Sequence, residues 1–225
     1  RRTGGAFQKF GTSTAHLPSL DELSITLEPY ALRGHFEAIA ESATRWIASN
    51  EPTAAEAVNV VFFVDYSLSM QGRLRSVANG LRAFDRVLRE AKLKPTYTLV
   101  RFAKTVGDVA SGVSGSTVSL PTPDIADMPL RFRYPALGDE RLVESVSDAL
   151  LDATDPTAPN VAVIVTDEPP RSREDAVESM ARAVKTSAAR CYAIMPSGDA
   201  GQPGVCADAV TAIIEGSGGM VFPMP

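Results

Sequence analysis

The sequence has no long hydrophobic run, few cysteines and histidines, and no excess of basic residues. No apolar stretch approaches the ~18 residues that cross a bilayer, so we expect no direct membrane insertion by this segment. A net charge of -5, from 22 basic and 27 acidic residues, argues against nucleic acid as the main partner. Two histidines and two cysteines, with no Cys-x-x-Cys pair, offer no zinc-binding pattern.

The two cysteines, Cys191 and Cys206, leave two alternatives open. They are either reduced core thiols or one disulfide that ties the end of a strand to the start of the next helix, and a disulfide would imply an oxidising compartment. Because the sequence begins at Arg1 and not at methionine, we expect a trimmed or processed form. The lack of a leader here is therefore no argument for a cytosolic protein.

The composition fits a folded α/β protein. Of its 225 residues, 44% are hydrophobic and 22% charged, which are ordinary values for a globular chain. Residues 1–27 are rich in Gly, Ser, Thr and Pro without a period and predict a flexible arm. Apolar residues at helical spacing between 29 and 49 predict a helical extension over 28–55, packed on a main domain at 56–225.

Strands and helices alternate along the main domain, which predicts a doubly wound, mainly parallel α/β sheet flanked by helices. Residues 111–138 are rich in Ser, Gly, Thr and Pro and predict a long irregular region. The predicted strands are 58–65, 97–102 with a hairpin partner near 105–110, 160–166, 191–195 and 220–222. One long amphipathic helix is predicted to start at Gly72, and three further helices are predicted over 141–153, 173–187 and 206–215.

Oxygen-bearing side chains follow the first buried strand. Seven mostly β-branched or aromatic residues lead into Asp65, and Ser67 and Ser69 follow at alternate positions. A second apolar strand leads into Asp167. Because parallel strands place their carboxyl ends at one edge of the sheet, both carboxylates can reach one crevice, and hard cations such as Mg²⁺ prefer such oxygen ligands. The competing interpretation is that these residues only cap helices and turns.

These two segments resemble the signatures of von Willebrand factor type A (vWA) domains. Asp65-Tyr-Ser-Leu-Ser69, followed by Met70-Gln-Gly72, matches Asp-x-Ser-x-Ser, and Val163-Ile-Val-Thr-Asp167 is similar to the second signature. The resemblance covers about 56–225 and implies a Rossmann-like fold with a metal-ion-dependent adhesion site (MIDAS), and we expect a bacterial source. By this resemblance Asp65, Ser67, Ser69 and Asp167 would bind Mg²⁺, with Ca²⁺ or Mn²⁺ as alternatives.

The third metal loop departs from the commonest pattern of the family, which has a threonine there. This sequence has Gly138-Asp139-Glu140 instead, and Glu144 is a further candidate. We favour Asp139 as the fifth metal ligand, whereas Glu144 is interpreted as an acid that starts a helix, where the dipole favours it. Tyr66 and Glu140 are expected at the rim that faces a ligand, although a packed Tyr66 ring is equally compatible with the sequence.

These observations predict a non-enzymatic, divalent-metal-dependent domain for adhesion or assembly. Its partner would be a protein that presents an Asp or Glu carboxylate to complete the metal shell. We expect a cell-surface or secreted setting, because the Thr/Ser/Pro-rich arm suits a surface-protein linker. One alternative is an intracellular, cytoplasmic vWA adaptor for an AAA+ ATPase chaperone or a chelatase. A second alternative, a metal-dependent hydrolase, lacks a candidate general base with a partner.

Overall fold

A computed structural model describes residues 31–50, 56–67, 69–102, 116–128, 141–196 and 205–225. These residues form a six-stranded sheet with helices on both faces. The strands are β1 Ala57–Asp65, β2 Lys94–Phe102, β3 Ser116–Val118, β4 Asn160–Val165, β5 Arg190–Met195 and β6 Val221–Pro223. The helices are α1 Arg33–Asn50, α2 Leu74–Glu90, α3 Leu142–Ala153, α4 Glu174–Ser187 and α5 Ala207–Gly216, with 3₁₀ turns at Ser69–Gly72 and Ile125–Asp127.

The strand order β3-β2-β1-β4-β5-β6 confirms the predicted doubly wound topology. All neighbouring strands run parallel except β3, which is antiparallel to β2. The chain leaves β1 for β2 on one side and later returns to place β4 on the other side. The order therefore reverses between β1 and β4, and the crevice at the carboxyl ends of these two strands is where open α/β sheets bind ligands.

Strand β1 is the centre of the core because it is buried on both faces. Every residue after Ala57 is buried. Val60, Phe62 and Val64 pack beneath α1 and α2, whereas Val61 and Phe63 pack beneath α3, α4 and α5. The alternation follows from the two-residue period of a strand, and burial on both faces explains the apolar run from Val60 to Val64.

Helix α1 contributes directly to this core. Its buried face includes Phe36, Ile39 and Ala43, and the hydroxyl of Tyr192 in β5 donates to Ser42 Oγ at 3.1 Å. The helix approaches α2 closely at Gly80, where an added Cβ would lie 2.1 Å from the Phe36 ring. Only a glycine allows the two helices to pack at this distance.

The edge beyond β2 differs from the sequence-based expectation. The expected hairpin partner near 105–110 lies outside the described residues. The antiparallel partner of β2 is Ser116–Val118, within a segment expected to be irregular, and Tyr97 pairs with Thr122 in an isolated bridge. The expectation of an irregular 111–138 was wrong for these residues because β2 supplies the pairing partner, which local Ser/Thr-rich composition does not reveal.

Of the two alternatives that the sequence left open for Cys191 and Cys206, the structure has the free thiols. Cys191 is the second residue of β5, so it lies toward the amino end of that strand, whereas Cys206 precedes α5 beyond its carboxyl end. Four further strand residues separate Cys191 from the carboxyl edge, about 13 Å at ~3.3 Å per residue. A disulfide cannot span that separation.

Among the described residues, no helix is both long and apolar enough to cross a bilayer.

Candidate metal centre

The candidate metal centre lies at the point where the strand order reverses. Asp65 is the last residue of β1, and Asp167 comes two residues after the end of β4. Val64 pairs with Val165 in register, so the two strand ends are level. The structure therefore brings together Asp65, Ser67, Ser69 and Asp167, the four residues that the first two sequence signatures predicted.

Asp65 is completely buried and both of its carboxylate oxygens are engaged. Oδ1 accepts the backbone N–H of Ser67 at 2.7 Å, which forms a turn immediately after the strand. Oδ2 accepts the hydroxyl of Thr166 at 2.8 Å. These two hydrogen bonds satisfy a buried charge that would otherwise be strongly unfavourable, and they fix the direction in which the loop leaves β1.

Thr166 is the site residue that sequence reasoning missed. It was assigned only to the apolar strand, yet it is 1% exposed and joins the ends of β4 and β1 through its contact with Asp65. The signal was present in the Thr-Asp pair at 166–167. A polar residue at the end of a fully apolar strand indicates a partner in the core, because buried hydroxyls are normally hydrogen-bonded.

A chain of hydrogen bonds connects the two serines with the second carboxylate. Ser67 Oγ lies 2.8 Å from Ser69 Oγ, and the Ser69 hydroxyl donates to Asp167 Oδ1 at 2.9 Å. Ser69 reaches this position because it begins the 3₁₀ turn that precedes α2. Three side-chain oxygen atoms from two loops therefore lie next to one another.

The Asp167 carboxylate faces opposing electrostatic influences. Its burial, with the side chain 9% exposed, raises its pKa above the usual aspartate range, and the nearby charge of Asp65 acts in the same direction. The hydrogen bond from Ser69 and the charge of Arg73 lower the pKa again. Arg73 Nε lies 3.6 Å from Asp167 Oδ2. Burial is the largest of these influences, so the charged form of Asp167 is disfavoured relative to an exposed aspartate.

The donor set fits a small, hard divalent cation. Adjacent ligands of an octahedral Mg²⁺, with bonds of ~2.0–2.1 Å, lie about 2.9 Å apart. The oxygen separations of 2.8 Å and 2.9 Å along Ser67, Ser69 and Asp167 are hydrogen-bond lengths, and the same spacing would allow these oxygens to be adjacent ligands of one ion. No group of three or more His, Cys, Asp or Glu side chains suited to a metal occurs in the described parts of the chain, so the fit depends on the hydroxyls.

The tip of the third loop, with Gly138, Asp139 and Glu140, lies outside the described residues. Asp139 and Glu140 both fall within 129–140, which the structure does not describe. Glu144 lies in the first turn of α3, where its Oε1 accepts the hydroxyl of Ser172 at 2.8 Å. Its Oε2 is buried and has no hydrogen-bond partner among the residues that the structure describes. This placement agrees with the interpretation of Glu144 as a helix-starting acid.

Tyr66 packs inward and does not form an exposed rim. It is 8% exposed and belongs to the core beneath α1 and α2. The guanidinium carbon of Arg101 lies 5.5 Å from its ring centroid, and burial raises the pKa of its hydroxyl to about 12. The packed ring that the sequence also allowed is the observed arrangement, because the strand alternation directs this side chain to the same face as Val64.

Comparison with solved structures identifies the fold. The VWA domain of SpRpn10 aligns over 74% of this chain and 87% of its own, with a TM-score of 0.54 and 11% identity. The chain has a vWA fold. BatB from Bacteroides thetaiotaomicron aligns over 74% of this chain and 89% of its own, at a TM-score of 0.50 and 15% identity. No family model and no curated protein sequence matches.

The pilus adhesin SpaC from Lactobacillus rhamnosus GG is also similar, at a TM-score of 0.50 and 13% identity. The match covers 74% of this chain and 28% of that one, so the similarity concerns one part of the adhesin. At such identities the vWA likeness establishes architecture alone, since one fold serves many functions.

Proposed function

We propose that this vWA-fold chain is a non-enzymatic, divalent-metal-dependent protein-binding domain. The observation that carries the proposal is the oxygen chain Ser67–Ser69–Asp167 beside the buried Asp65, at the reversal point of the sheet. Asp139 of the third loop is proposed to complete the protein ligands. The bound ion, Mg²⁺ or alternatively Mn²⁺ or Ca²⁺, would supply an open coordination position for a carboxylate from a partner protein.

Neutral hydroxyl ligands support this reading of the site. Ser67 and Ser69 would contribute oxygen atoms without negative charge, so the hydroxyls would fill coordination positions without lowering the charge of the ion further. Asp65 holds the serine loop through the N–H of Ser67 and is itself held by Thr166. The chain's own residues thus position the donors before any ion binds, which lowers the free energy needed to assemble the site.

A hydrolytic role receives no support from the described residues. An enzyme of that kind needs a general base beside an activated water. Both oxygens of Asp65 accept hydrogen bonds, and Asp167 is engaged by Ser69 and Arg73. His35, the one histidine within the described ranges, lies with its ring 5.3 Å from that of Phe222. We therefore propose binding rather than catalysis.

We place the domain in adhesion or assembly at the cell surface. The Thr/Ser/Pro-rich lead-in supports this setting, and the likeness to part of a pilus adhesin supports it by fold analogy only. Protease treatment of intact cells checks the location: a surface domain is degraded, and a protected domain contradicts this setting.

The free cysteines favour a second candidate, an intracellular adaptor for an ATPase chaperone or a chelatase. Cys191 and Cys206 are free and lie toward opposite ends of β5, so they provide no support for an oxidising compartment. Under this candidate the same metal centre would bind a carboxylate of the ATPase complex, and the domain would be protected in the protease experiment.

Metal titration tests the primary proposal. Protein freed of metal with a chelator is titrated with Mg²⁺, Mn²⁺ and Ca²⁺ while its thermal unfolding is followed. Binding at 100 times the dissociation constant stabilises the native state by about 2.7 kcal/mol, which is roughly 5–10 °C for a chain of this size. The isosteric Asp65→Asn and the milder Ser69→Ala are expected to abolish or greatly reduce the shift.

Asp148→Ala is the matched control, because Asp148 is an exposed carboxylate on α3 and its loss is expected to leave the shift intact. The absence of a shift in the unmodified protein with all three ions would contradict the metal-binding proposal.

A further inference from the structure

Arg73 places a fixed positive charge beside the candidate metal centre. Its Nε lies 3.6 Å from Asp167 Oδ2, and its side chain is 37% exposed. Another nitrogen of the same guanidinium donates to the backbone oxygen of Pro225. The guanidinium therefore has contacts on two sides and stays next to the carboxylate that the oxygen chain reaches.

The local fold explains why an arginine reaches this position. The 3₁₀ turn Ser69–Gly72 connects the serine loop to α2, and the N–H of Arg73 donates to the carbonyl of Met70 at 2.9 Å. Arg73 then occupies the N-cap position of α2 without a side-chain capping bond. A residue that usually caps a helix end is short and polar. Here the N-cap residue is a long cation that extends toward Asp167 instead.

Arg73 and a divalent cation would act on the same carboxylate. Asp167 Oδ1 belongs to the oxygen chain, whereas Oδ2 faces the guanidinium. A divalent ion among the oxygens would thus share Asp167 with a charge of its own sign. Like charges a few ångströms apart repel each other, and this repulsion is strongest at low ionic strength.

We propose that Arg73 is a built-in competitor of the metal ion, which pairs with Asp167 and lowers the affinity of the site for divalent cations. This inference depends on the proposed metal-binding function and concerns its regulation. The guanidinium stabilises the metal-free site by neutralising Asp167. Occupancy then requires a higher concentration of divalent cation than the same oxygens would need without the arginine.

Removal of the charge at this position gives the direct test. Metal-free protein is titrated with Mn²⁺ by calorimetry at low and at high NaCl concentration. Arg73→Gln is expected to tighten Mn²⁺ binding roughly five- to ten-fold at low salt, with a smaller gain at high salt because ions screen the repulsion. A purely structural role of Arg73 would not produce a gain that depends on salt.

Two further variants isolate the charge at this position. Arg73→Lys keeps a cation there and is expected to bind Mn²⁺ within about two-fold of the unmodified protein, since the charge term is retained. Arg75→Gln removes an equal charge two residues away, from an exposed side chain on α2. Solvent screens that charge, so its removal is also expected to change affinity by less than about two-fold.

The outcomes separate this inference from the proposed function. If the unmodified protein binds Mn²⁺ and Asp65→Asn does not, the metal centre stands. Unchanged or weaker binding by Arg73→Gln, or an equal gain from Arg75→Gln, then overturns the role of Arg73 alone. If neither the unmodified protein nor Arg73→Gln binds Mn²⁺, both proposals fail. If Arg73→Gln binds Mn²⁺ and the unmodified protein does not, both the metal centre and the role of Arg73 are supported.

Discussion

Thr166 ties the end of β4 to the end of β1 through its hydrogen bond to the buried Asp65. Thr166→Val keeps the shape of the side chain but leaves Asp65 Oδ2 without this donor. A hydrogen bond to a charged group contributes about 1.5–3 kcal/mol, so we expect a loss of about 2 kcal/mol in urea unfolding of the metal-free protein.

Thr157→Val is the matched control for that experiment. The Thr157 hydroxyl also donates to an aspartate, Asp155, at 2.6 Å, but both groups are exposed. Water replaces the lost contact there, and unfolding is expected to be unchanged within error. Equal effects of the two substitutions would contradict a special role for Thr166.

The thiols offer a second prediction at the residue scale. Burial raises the pKa of the Cys191 thiol to about 12, and burial together with the charge of Glu144 raises the pKa of Cys206. Because the thiolate is the reactive form, Cys191 is expected to resist a thiol reagent at pH 8 until the protein unfolds. Cys206, which is half-buried, is expected to react slowly in the native state.

Cys206→Ser serves as the control, since the variant should show no reactive thiol when native and one when unfolded. A pKa that folding raises also has a consequence for stability. Folded protein holds the Cys191 proton more tightly than unfolded protein, whose thiol ionises near pH 8.5. This contribution is complete below that pH and is lost as the pH rises toward about 12. In Cys191→Ala this part of the alkaline destabilisation should be missing.

At the scale of elements, the contact between α1 and α2 depends on Gly80. A Cβ at this position would lie 2.1 Å from the Phe36 ring, and that ring is 0% exposed, so close packing of the core leaves it little room to move. Gly80→Ala is therefore expected to destabilise the protein by at least about 2 kcal/mol, measured by urea unfolding.

Gly34→Ala provides the matched comparison in α1. An added Cβ there meets nothing within 4 Å, and alanine favours a helix over glycine by up to ~1 kcal/mol. The expected result is unchanged or increased stability. If Gly80→Ala behaved like Gly34→Ala, the close approach of the two helices would be refuted.

For the whole molecule, α1 covers part of one sheet face, and we expect it to be required for the folded state. Its residues Phe36 and Ile39 are 0% exposed and share a core with Val161, Tyr192 and Ile194 of β4 and β5. A chain that begins at Glu56 is expected to lose cooperative thermal unfolding and to bind a hydrophobic dye, because that face would be open to water.

A chain of residues 31–225 is the control, and it is expected to unfold cooperatively since it retains α1. A cooperative transition in the 56–225 chain would show that α1 is dispensable. The experiment also tests the predicted boundary between an extension at 28–55 and a main domain at 56–225.

Much of the architecture was predictable because its physical causes are local. The apolar run 58–64 requires burial on both faces, and that requirement predicted a central parallel strand before the sheet was seen. The strand-end positions of Asp65 and Asp167 follow from the same pattern. The edge strand Ser116–Val118 was missed because its pairing with β2 is a contact between distant segments, and its own composition favours turns.

The sequence by itself determined the alternation of elements and the four metal-ligand candidates Asp65, Ser67, Ser69 and Asp167. Only the tertiary structure decided the rest. It joined Thr166 to Asp65, packed the Tyr66 ring in the core, placed the two cysteines toward opposite ends of β5 and brought Arg73 to Asp167. Each of these depends on how strand ends and loops from different parts of the chain meet, and the spacing of residues in one segment does not specify the distance to another.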